Sequence, residues 1–183
     1  YLEQVASTRA QIVILPETAF PVFLQNTPSE IIQEFAQTAR HNGSSLAVGM
    51  PIFTSDGENY LNAVVNLTDY TPERQPETLP AYAKNHLVPF GEYKPLKPIT
   101  QFLYNAMNMP LGDFQQGGAV QAPFSMANQK VAFNICYEDG FGDELIASAR
   151  QATLLANASN MAWYGDSNAM WQQLQQSQTR ALE

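Results

Sequence analysis

Apolar residues in the first half of the chain gather into short runs that polar turns separate. Residues 11–15 form an apolar run that a proline stops, which is typical of a buried strand in a sheet covered on both faces. Residues 45–53 and 60–68 are two further strand-like runs, and the polar turn at 55–58 between them predicts a β-hairpin. A shorter run at 79–84 predicts a fourth strand.

Helical spacing of apolar residues alternates with these runs. Residues 27–43 carry such a stripe, with Thr27 as the expected N-cap in a capping box. Two more strands, predicted at 130–135 and 153–158, flank a helix predicted near 143–150. Strands that alternate with helices, together with a hairpin, indicate an α/β fold with a mixed sheet.

The last segment of the chain predicts one more helix, capped by Asp166. We expect the apolar residues of this helix to face inward, and these are Met170, Trp171, Leu174, Ala181 and Leu182. We expect its glutamines to face outward, and these are Gln172, Gln173, Gln175 and Gln176. Residues 93–118 form a long irregular segment with a short helix expected at 99–107. A loop of this length in a compact domain is usually functional or mobile.

Composition narrows the classes of function. The 183 residues carry a net charge of −8, which argues against binding nucleic acid, or anionic lipid by charge alone. No apolar run reaches the ~18 residues of a membrane span, and no signal peptide is visible at the start. One cysteine and two histidines cannot make a CxxC motif, an internal disulfide or a convincing zinc site. We therefore expect no metal and no cofactor.

Three residues at the ends of predicted strands carry reactive groups. Glu17 follows the first strand, Lys84 ends the fourth, and Cys136 follows the strand at 130–135. Sheets of this kind place their sites at the carboxyl ends of strands. In nucleophilic acyl transfer a thiol attacks, a carboxylate takes its proton and a cation stabilises the oxyanion. The predicted strand-to-helix junction at Cys136 can also lower a thiol pKa and bind an oxyanion.

Each of these residues also has a structural interpretation. A lone cysteine is often a small buried hydrophobe, while Glu17 could be an exposed turn residue and Lys84 a surface charge. For His86 we favour a hydrogen-bonded structural role over a Cys–His dyad. Residues 163–166 (WYGD) fit a packing aromatic pair with a helix cap as well as an aromatic wall near the thiol.

Several segments together resemble the nitrilase, or carbon-nitrogen hydrolase, superfamily. They are residues 16–21 (PETAFP), 84–93 (KNHLVPFGEY), 135–138 (ICYE), 159–166 (SNMAWYGD) and the tail 179–183 (TRALE). Within this superfamily they are most similar to the apolipoprotein N-acyltransferase family of bacterial inner-membrane enzymes, and the resemblance covers almost the whole chain. It implies an α-β-β-α sandwich with mixed sheets, and a single catalytic domain over residues 1–183.

The same resemblance implies roles for individual residues. Glu17 is the general base, Lys84 the cation that stabilises the oxyanion, and Cys136 the nucleophile. Supporting active-site positions match Glu92, Tyr137, Glu138 and Asn62, with the backbone amide of Tyr137 as a second oxyanion donor. The implied reaction is ping-pong. A phospholipid, expected to be phosphatidylethanolamine, acylates the thiol, and the α-amine of a diacylglyceryl-cysteine apolipoprotein takes the acyl chain.

The family also implies a location. It places the catalytic domain on the periplasmic side of the bacterial inner membrane. In the family, a bundle of transmembrane helices precedes this domain in the sequence, and this chain contains none of them. We therefore expect the chain to be a portion of a longer protein, incomplete at both ends. Apolar residues within 93–118 could form a lipid-facing arm or fill the core, and these are Phe102, Leu103, Tyr104, Met107 and Met109.

Two other functions stay open. A soluble amidase or carbamoylase would use the same three residues with water as the second acceptor, although the VPFGE motif at 88–92 and the long apolar segment argue against it. A catalytically inactive binding domain is the other, and the presence of all three reactive residues argues against that. Hydrolysis of small amides without lipid would support the first, and an inert thiol in the folded protein would support the second.

Overall fold

A computed structural model of the protein describes residues 1–89, 91–93 and 114–183, apart from the side chain of Trp163. The helix expected at 99–107 and the apolar residues of the expected arm lie outside these residues. Two sheets, with helices packed against them, make up the described fold.

Among the described residues, the first sheet holds four strands that follow one another in chain order across the sheet. They are β1 (Ile12–Ile14), β2 (Ser45–Phe53), β3 (Tyr60–Asn66) and β4 (Ala81–Ala83). β1 and β2 are parallel because helix α2 (Ser29–His41) carries the chain back between them, and the other neighbours are antiparallel. The predicted hairpin is confirmed, since β2 and β3 pair along almost their whole length.

The second sheet holds three strands in the described part of the chain. They are β5 (Phe124–Met126), β6 (Gln129–Ile135) and β7 (Leu154–Ala158). β5 and β6 are antiparallel, whereas β6 and β7 are parallel and connected through helix α3 (Gly142–Ala149). A 3₁₀ helix, Cys136–Gly140, joins β6 to α3. The sequence indicated β6, α3 and β7 but not β5, which is only three residues long.

Hydrophobic packing stacks these elements into layers. The outer face of the first sheet is covered by α2 and by α1 (Leu2–Ser7), through Val5, Ile32, Phe35, Leu46 and Val48. The inner face packs on the second sheet, through Ala47, Val64, Tyr82, Phe124, Phe133 and Ile135. Both contacts follow from alternation along β2, because successive side chains of a strand point to opposite faces. The expected α/β fold with mixed sheets is confirmed.

Two local expectations are wrong. β1 is less buried than expected, since Ile14 is 36% exposed and Ile12 and Val13 are only partly buried, although both faces of its sheet are covered. Helix α2 begins at Ser29 without a cap from Thr27, whose Oγ1 instead donates to the Phe23 carbonyl at 2.9 Å. The short 3₁₀ turn at Leu24–Asn26 brings that carbonyl within reach of the hydroxyl.

The last helix, α4 (Ala169–Leu182), has Asn168 rather than Asp166 at its N-cap, and its apolar residues do not face inward as predicted. Gln172, Gln175 and Gln176 are exposed as predicted, whereas Gln173 is partly buried. The residues expected inward, Met170, Trp171, Leu174, Ala181 and Leu182, are all exposed. Gln173 and Ser177 face the protein instead, where they bind oxygen atoms of the turn after β6. Helical periodicity separates two faces of a helix, and here the acceptors of that turn select the polar one.

Candidate active site

Glu17 lies just after β1 and is 8% exposed. Its Oε1 accepts a hydrogen bond from Asn62 Nδ2 at 2.7 Å, and its Oε2 accepts one from the backbone N–H of Asn160 at 3.0 Å. These two donors fix the carboxylate in one orientation, with Oε1 3.6 Å from Lys84 Nζ. The carboxylate is thus buried, hydrogen-bonded and close to a cation.

Two glycines bring the backbones that carry Glu17 and Lys84 into place. A Cβ on Gly49 of β2 would lie 2.7 Å from the Cα of Glu17, so only glycine permits this approach. A Cβ on Gly117 would lie 2.2 Å from the carbonyl oxygen of Ala83, and the Gly117 N–H donates to the Lys84 carbonyl at 2.8 Å. The close packing behind the carboxylate and the ammonium therefore depends on residues without a side chain.

Lys84 follows β4 and is only 1% exposed. Its Nζ donates to Glu92 Oε1 at 2.9 Å and lies 5.6 Å from the centroid of the Tyr137 ring. Burial by itself lowers the pKa of Lys84, but attraction to Glu92 and Glu17 outweighs burial and raises the pKa above its ordinary value. The group is therefore a buried ammonium that stays charged at neutral pH.

A side-chain amide joins the two carboxylates that flank this ammonium. Asn62 Nδ2 donates to Oε1 of Glu17 and also to Oε1 of Glu92, at 2.7 and 2.9 Å. Glu92 Oε2 accepts the backbone N–H of Val88 at 2.8 Å, which closes the loop after β4. The backbone carbonyl of Asn62 accepts the N–H of Lys84 at 2.8 Å. The four side chains of Glu17, Asn62, Lys84 and Glu92 form one connected unit.

Cys136 begins the 3₁₀ helix after β6 and is 7% exposed. Its φ of +57° lies in the left-handed region, which costs a residue with a Cβ about 1–3 kcal/mol. Burial raises the pKa of the thiol and the charge of Glu17 raises it further, against opposing effects of Lys84 and the backbone N–H of Tyr137. The expectation of a lowered thiol pKa is therefore wrong. The resting thiol is protonated at neutral pH and needs a base.

Glu138 connects the end of β4 with the turn after β6. It is 3% exposed and accepts four hydrogen bonds of 2.6–2.9 Å, from the backbone N–H groups of Asn85, His86 and Ile135 and from the hydroxyl of Tyr82. Burial raises the pKa of Glu138, although the four donors favour its charged form. This carboxyl group therefore connects the backbone just after Lys84 with the backbone just before Cys136.

Tyr137 and His86 pack beside the site. The Tyr137 hydroxyl donates to the Leu87 carbonyl at 2.8 Å, and burial raises the pKa of Tyr137 to about 12. The His86 ring stacks on Phe141 with 3.5 Å between centroids, and its Nδ1 lies 3.1 Å from a Glu144 carboxylate oxygen. These contacts agree with the hydrogen-bonded structural role favoured for His86.

The remaining sequence candidates contribute less. Residues 163–166 lie at the 3₁₀ helix Met161–Tyr164 and the turn before α4, where Tyr164 is half exposed. Asp166 does not cap α4, so the helix-cap interpretation of this segment is wrong. Across residues 1–89, 91–93 and 114–183, no group of three or more His, Cys, Asp or Glu side chains is arranged to hold a metal ion.

Sequence reasoning missed several residues that build the site. Asn157 on β7 and Gln173 on α4 both donate to the backbone carbonyl of Cys136, and Tyr82 on β4 is a buried donor to Glu138. No local signal marks them, because they reach the turn after β6 only through tertiary folding. Gly49 inside the β2 pattern is a local signal of close backbone approach, but it concerns Glu17 rather than these three residues.

Two facing mixed sheets with a buried thiol, carboxylate and ammonium at their strand ends define an α/β protein suited to acyl chemistry. The carbon-nitrogen hydrolase family matches residues 1–183, and the chain belongs to this family. The solved structure of a carbon-nitrogen hydrolase from Helicobacter pylori has the same fold. It has a TM-score of 0.60 at 17% identity, over 98% of this chain and 59% of that one. The expected superfamily is confirmed.

Two curated relatives are much closer in sequence. An apolipoprotein N-acyltransferase from Neisseria meningitidis serogroup A is 66% identical over 183 residues, and one from Chromobacterium violaceum is 52% identical over the same length. These alignments cover 100% of this chain but only 36% and 34% of the relatives, so the chain spans about a third of their length. Within the described part of the chain, no helix combines the length and apolar character needed to cross a membrane.

Proposed function

We propose that the protein transfers a fatty acyl chain from a phospholipid to the N-terminal amine of diacylglyceryl-cysteine apolipoproteins. One observation carries the proposal, which is 66% identity over all 183 residues to an apolipoprotein N-acyltransferase. The site supports it, because Glu17, Lys84 and Cys136 offer a base, a fixed cation and a nucleophile that interact with one another.

In the first half-reaction, Glu17 takes the proton of Cys136 and the sulfur attacks an ester carbonyl of the phospholipid. The C–S bond forms and the carbonyl electron pair moves to oxygen, where the Lys84 ammonium and the Tyr137 N–H stabilise the negative charge. Collapse of this intermediate breaks the C–O bond, and protonated Glu17 gives its proton to the leaving lysophospholipid oxygen. The product is an acyl thioester on Cys136.

In the second half-reaction, the α-amine of the acceptor attacks the thioester carbonyl. Glu17 accepts a proton from the attacking nitrogen, and the oxyanion forms against the same Lys84 and Tyr137 donors. The C–N bond forms, the C–S bond breaks, and protonated Glu17 returns a proton to the Cys136 sulfur. The acceptor leaves as an amide, and the thiol and carboxylate are restored.

The supporting residues fix this geometry. Asn62 and Glu92 hold the carboxylate of Glu17 and the ammonium of Lys84 at a set separation, so the cation cannot swing away from the reacting oxygen. Glu138 holds the turn after β6 against the end of β4, which fixes the position of the Cys136 thiol relative to the Lys84 ammonium. Such preorganised charges need no rearrangement when the oxyanion forms.

We also propose a location and partners. The domain works on the periplasmic side of the bacterial inner membrane, as part of a longer protein that supplies the membrane attachment. Phosphatidylethanolamine is the proposed donor. A net charge of −8 gives no attraction to anionic headgroups, so a zwitterionic donor suits this chain.

Product analysis of the full-length protein that contains this chain tests the proposed function. The protein is incubated with phosphatidylethanolamine and a diacylglyceryl-cysteine peptide, and N-acylated peptide is quantified by mass spectrometry. A parallel assay follows ammonia release from small amides without lipid. Peptide acylation without amide hydrolysis is the expected result. Amide turnover without acylation would indicate an amidase, and an inert thiol with neither activity would indicate a binding domain.

Gly49→Ala is expected to reduce acyl transfer about a hundredfold, with a loss of stability of about 1–3 kcal/mol. The new Cβ would lie 2.7 Å from the Cα of Glu17, so the backbone must shift and carry the general base away from the thiol. Initial rates of peptide acylation and urea unfolding of the full-length protein measure the two effects.

Gly118→Ala is the matched control, because a Cβ there meets nothing closer than 3.8 Å. It should leave acyl transfer within about twofold, as ordinary surface substitutions do. Full activity in Gly49→Ala would show that the close approach of β2 does not position Glu17.

A further inference from the structure

The backbone carbonyl of Cys136 accepts two side-chain hydrogen bonds. Asn157 Nδ2 donates to it at 2.7 Å and Gln173 Nε2 at 2.9 Å. The donors lie on β7 and α4, which both pack against the turn after β6. This carbonyl oxygen therefore has two side-chain donors from outside the turn.

Each amide uses both of its N–H bonds at this place. Asn157 Nδ2 also donates to Asn134 Oδ1, and Gln173 Nε2 also donates to Asp139 Oδ2 at 3.2 Å. A backbone carbonyl can only accept, so the nitrogen end of each amide must face the Cys136 oxygen. With these second bonds, neither amide has an N–H left for another partner.

The peptide unit between Cys136 and Tyr137 links this arrangement to the chemistry. Its C=O and N–H lie in one plane and point in opposite directions, so whatever fixes the carbonyl also aims the N–H. A backbone hydrogen bond from the Tyr137 N–H lowers the pKa of the Cys136 thiol, which is consistent with an N–H directed at the reacting end of this side chain. We propose that Asn157 and Gln173 are positioning residues that aim and polarise the Tyr137 N–H as an oxyanion donor.

Two physical effects support these positioning roles. Cys136 holds a left-handed backbone conformation that residues with a Cβ rarely adopt, and the two bonds to its carbonyl oppose relaxation of this peptide. Hydrogen bonds to a carbonyl also withdraw electron density from the peptide, which makes its N–H a stronger donor. Both effects count most when negative charge develops on the reacting oxygen. The inference rests on the thiol acylation proposed above, but not on which acyl donor is used.

Gln173→Met in the full-length protein separates an oxyanion role from a general structural one. Methionine keeps the side-chain length but removes the donor. Acylation of Cys136 by p-nitrophenyl butyrate passes through an oxyanion, and we expect its rate to fall about tenfold to a hundredfold. Alkylation by iodoacetamide, at a pH that ionises the thiol, forms no oxyanion and should stay within about threefold. Gln176→Met, on the exposed side of α4, is the matched control and should change neither rate.

Asn157→Leu tests the second bond in the same way, and thermal unfolding reports whether a variant has lost its fold. If Asn157→Leu unfolds, Gln173→Met decides alone, since Gln173 is only partly buried. Equal falls in acylation and alkylation would overturn the inference, because they indicate a displaced thiol. Unchanged acylation in Gln173→Met would overturn it as well.

The positioning test uses p-nitrophenyl butyrate as acyl donor, whereas the test of function uses phosphatidylethanolamine, so the two tests can fail separately. A protein acylated by the p-nitrophenyl ester but not by phosphatidylethanolamine would refute the proposed lipid donor. The ester rates of Gln173→Met and Gln176→Met would still decide the positioning role in that case.

Discussion

Cys136→Ala is expected to abolish acyl transfer, by at least about 10⁴-fold, while the fold stays nearly unchanged. The substitution removes the only thiol of the chain and with it the atom proposed to carry the acyl group. Alanine keeps the Cβ that the left-handed backbone already accommodates, so no new strain arises. Loss of one buried sulfur atom costs about 1 kcal/mol of stability, well below the stability of a typical domain.

Peptide acylation and thermal unfolding of the full-length variant check both parts of this prediction. Cys136→Ser is the informative companion, because it keeps the size and hydrogen bonding of the side chain but offers a much weaker nucleophile. We expect it to lose transfer as well. A Cys136→Ala protein that is folded and still transfers acyl chains at the normal rate would rule out the thioester mechanism.

Glu17→Gln is expected to slow acylation of Cys136 about 10²- to 10⁴-fold, because the proposed proton acceptor is lost. The same substitution should make the thiol easier to ionise. The negative charge of Glu17 raises the pKa of Cys136, so a neutral glutamine moves the midpoint of thiol ionisation to lower pH. Alkylation at neutral pH should therefore become faster while acylation becomes slower.

The pH profile of iodoacetamide alkylation measures the thiol midpoint, and intact mass after exposure to phosphatidylethanolamine measures acylation. Glu30→Gln, an exposed carboxylate in the first turn of α2, is the control and should shift neither. Undiminished thioester formation in Glu17→Gln would assign the base to another group. A thiol midpoint that moves to higher pH would contradict the electrostatic account of the site.

Strand positions are the part of this fold that the sequence predicts best. β2 spans the same bounds as its apolar run, and β6 ends at Ile135, directly before Cys136. Apolar runs between turn residues are a local signal, so Glu17 and Lys84 can be placed at strand ends without knowledge of the topology. Their meeting in space follows from the rule that such sheets gather functional groups at strand ends.

The contacts behind the site could not be predicted because they are long-range. Asn157 and Gln173 lie 21 and 37 residues from Cys136. Gln173 is one of several glutamines along α4, and the helical pattern does not show which of them faces the protein. Local structure also predicts the wrong direction for the thiol pKa. Burial and the charge of Glu17 raise this pKa by more than the backbone N–H at the turn lowers it.

The central claim is that Cys136 carries the acyl chain, and intact mass of the full-length protein tests it most directly. The protein is incubated with phosphatidylethanolamine, measured with and without hydroxylamine treatment, and digested to map any adduct. We predict an acyl adduct on the peptide containing Cys136 that hydroxylamine removes, as it does for thioesters. No adduct on a thiol that still reacts with iodoacetamide would contradict acyl transfer from phospholipid and favour hydrolysis of a small amide.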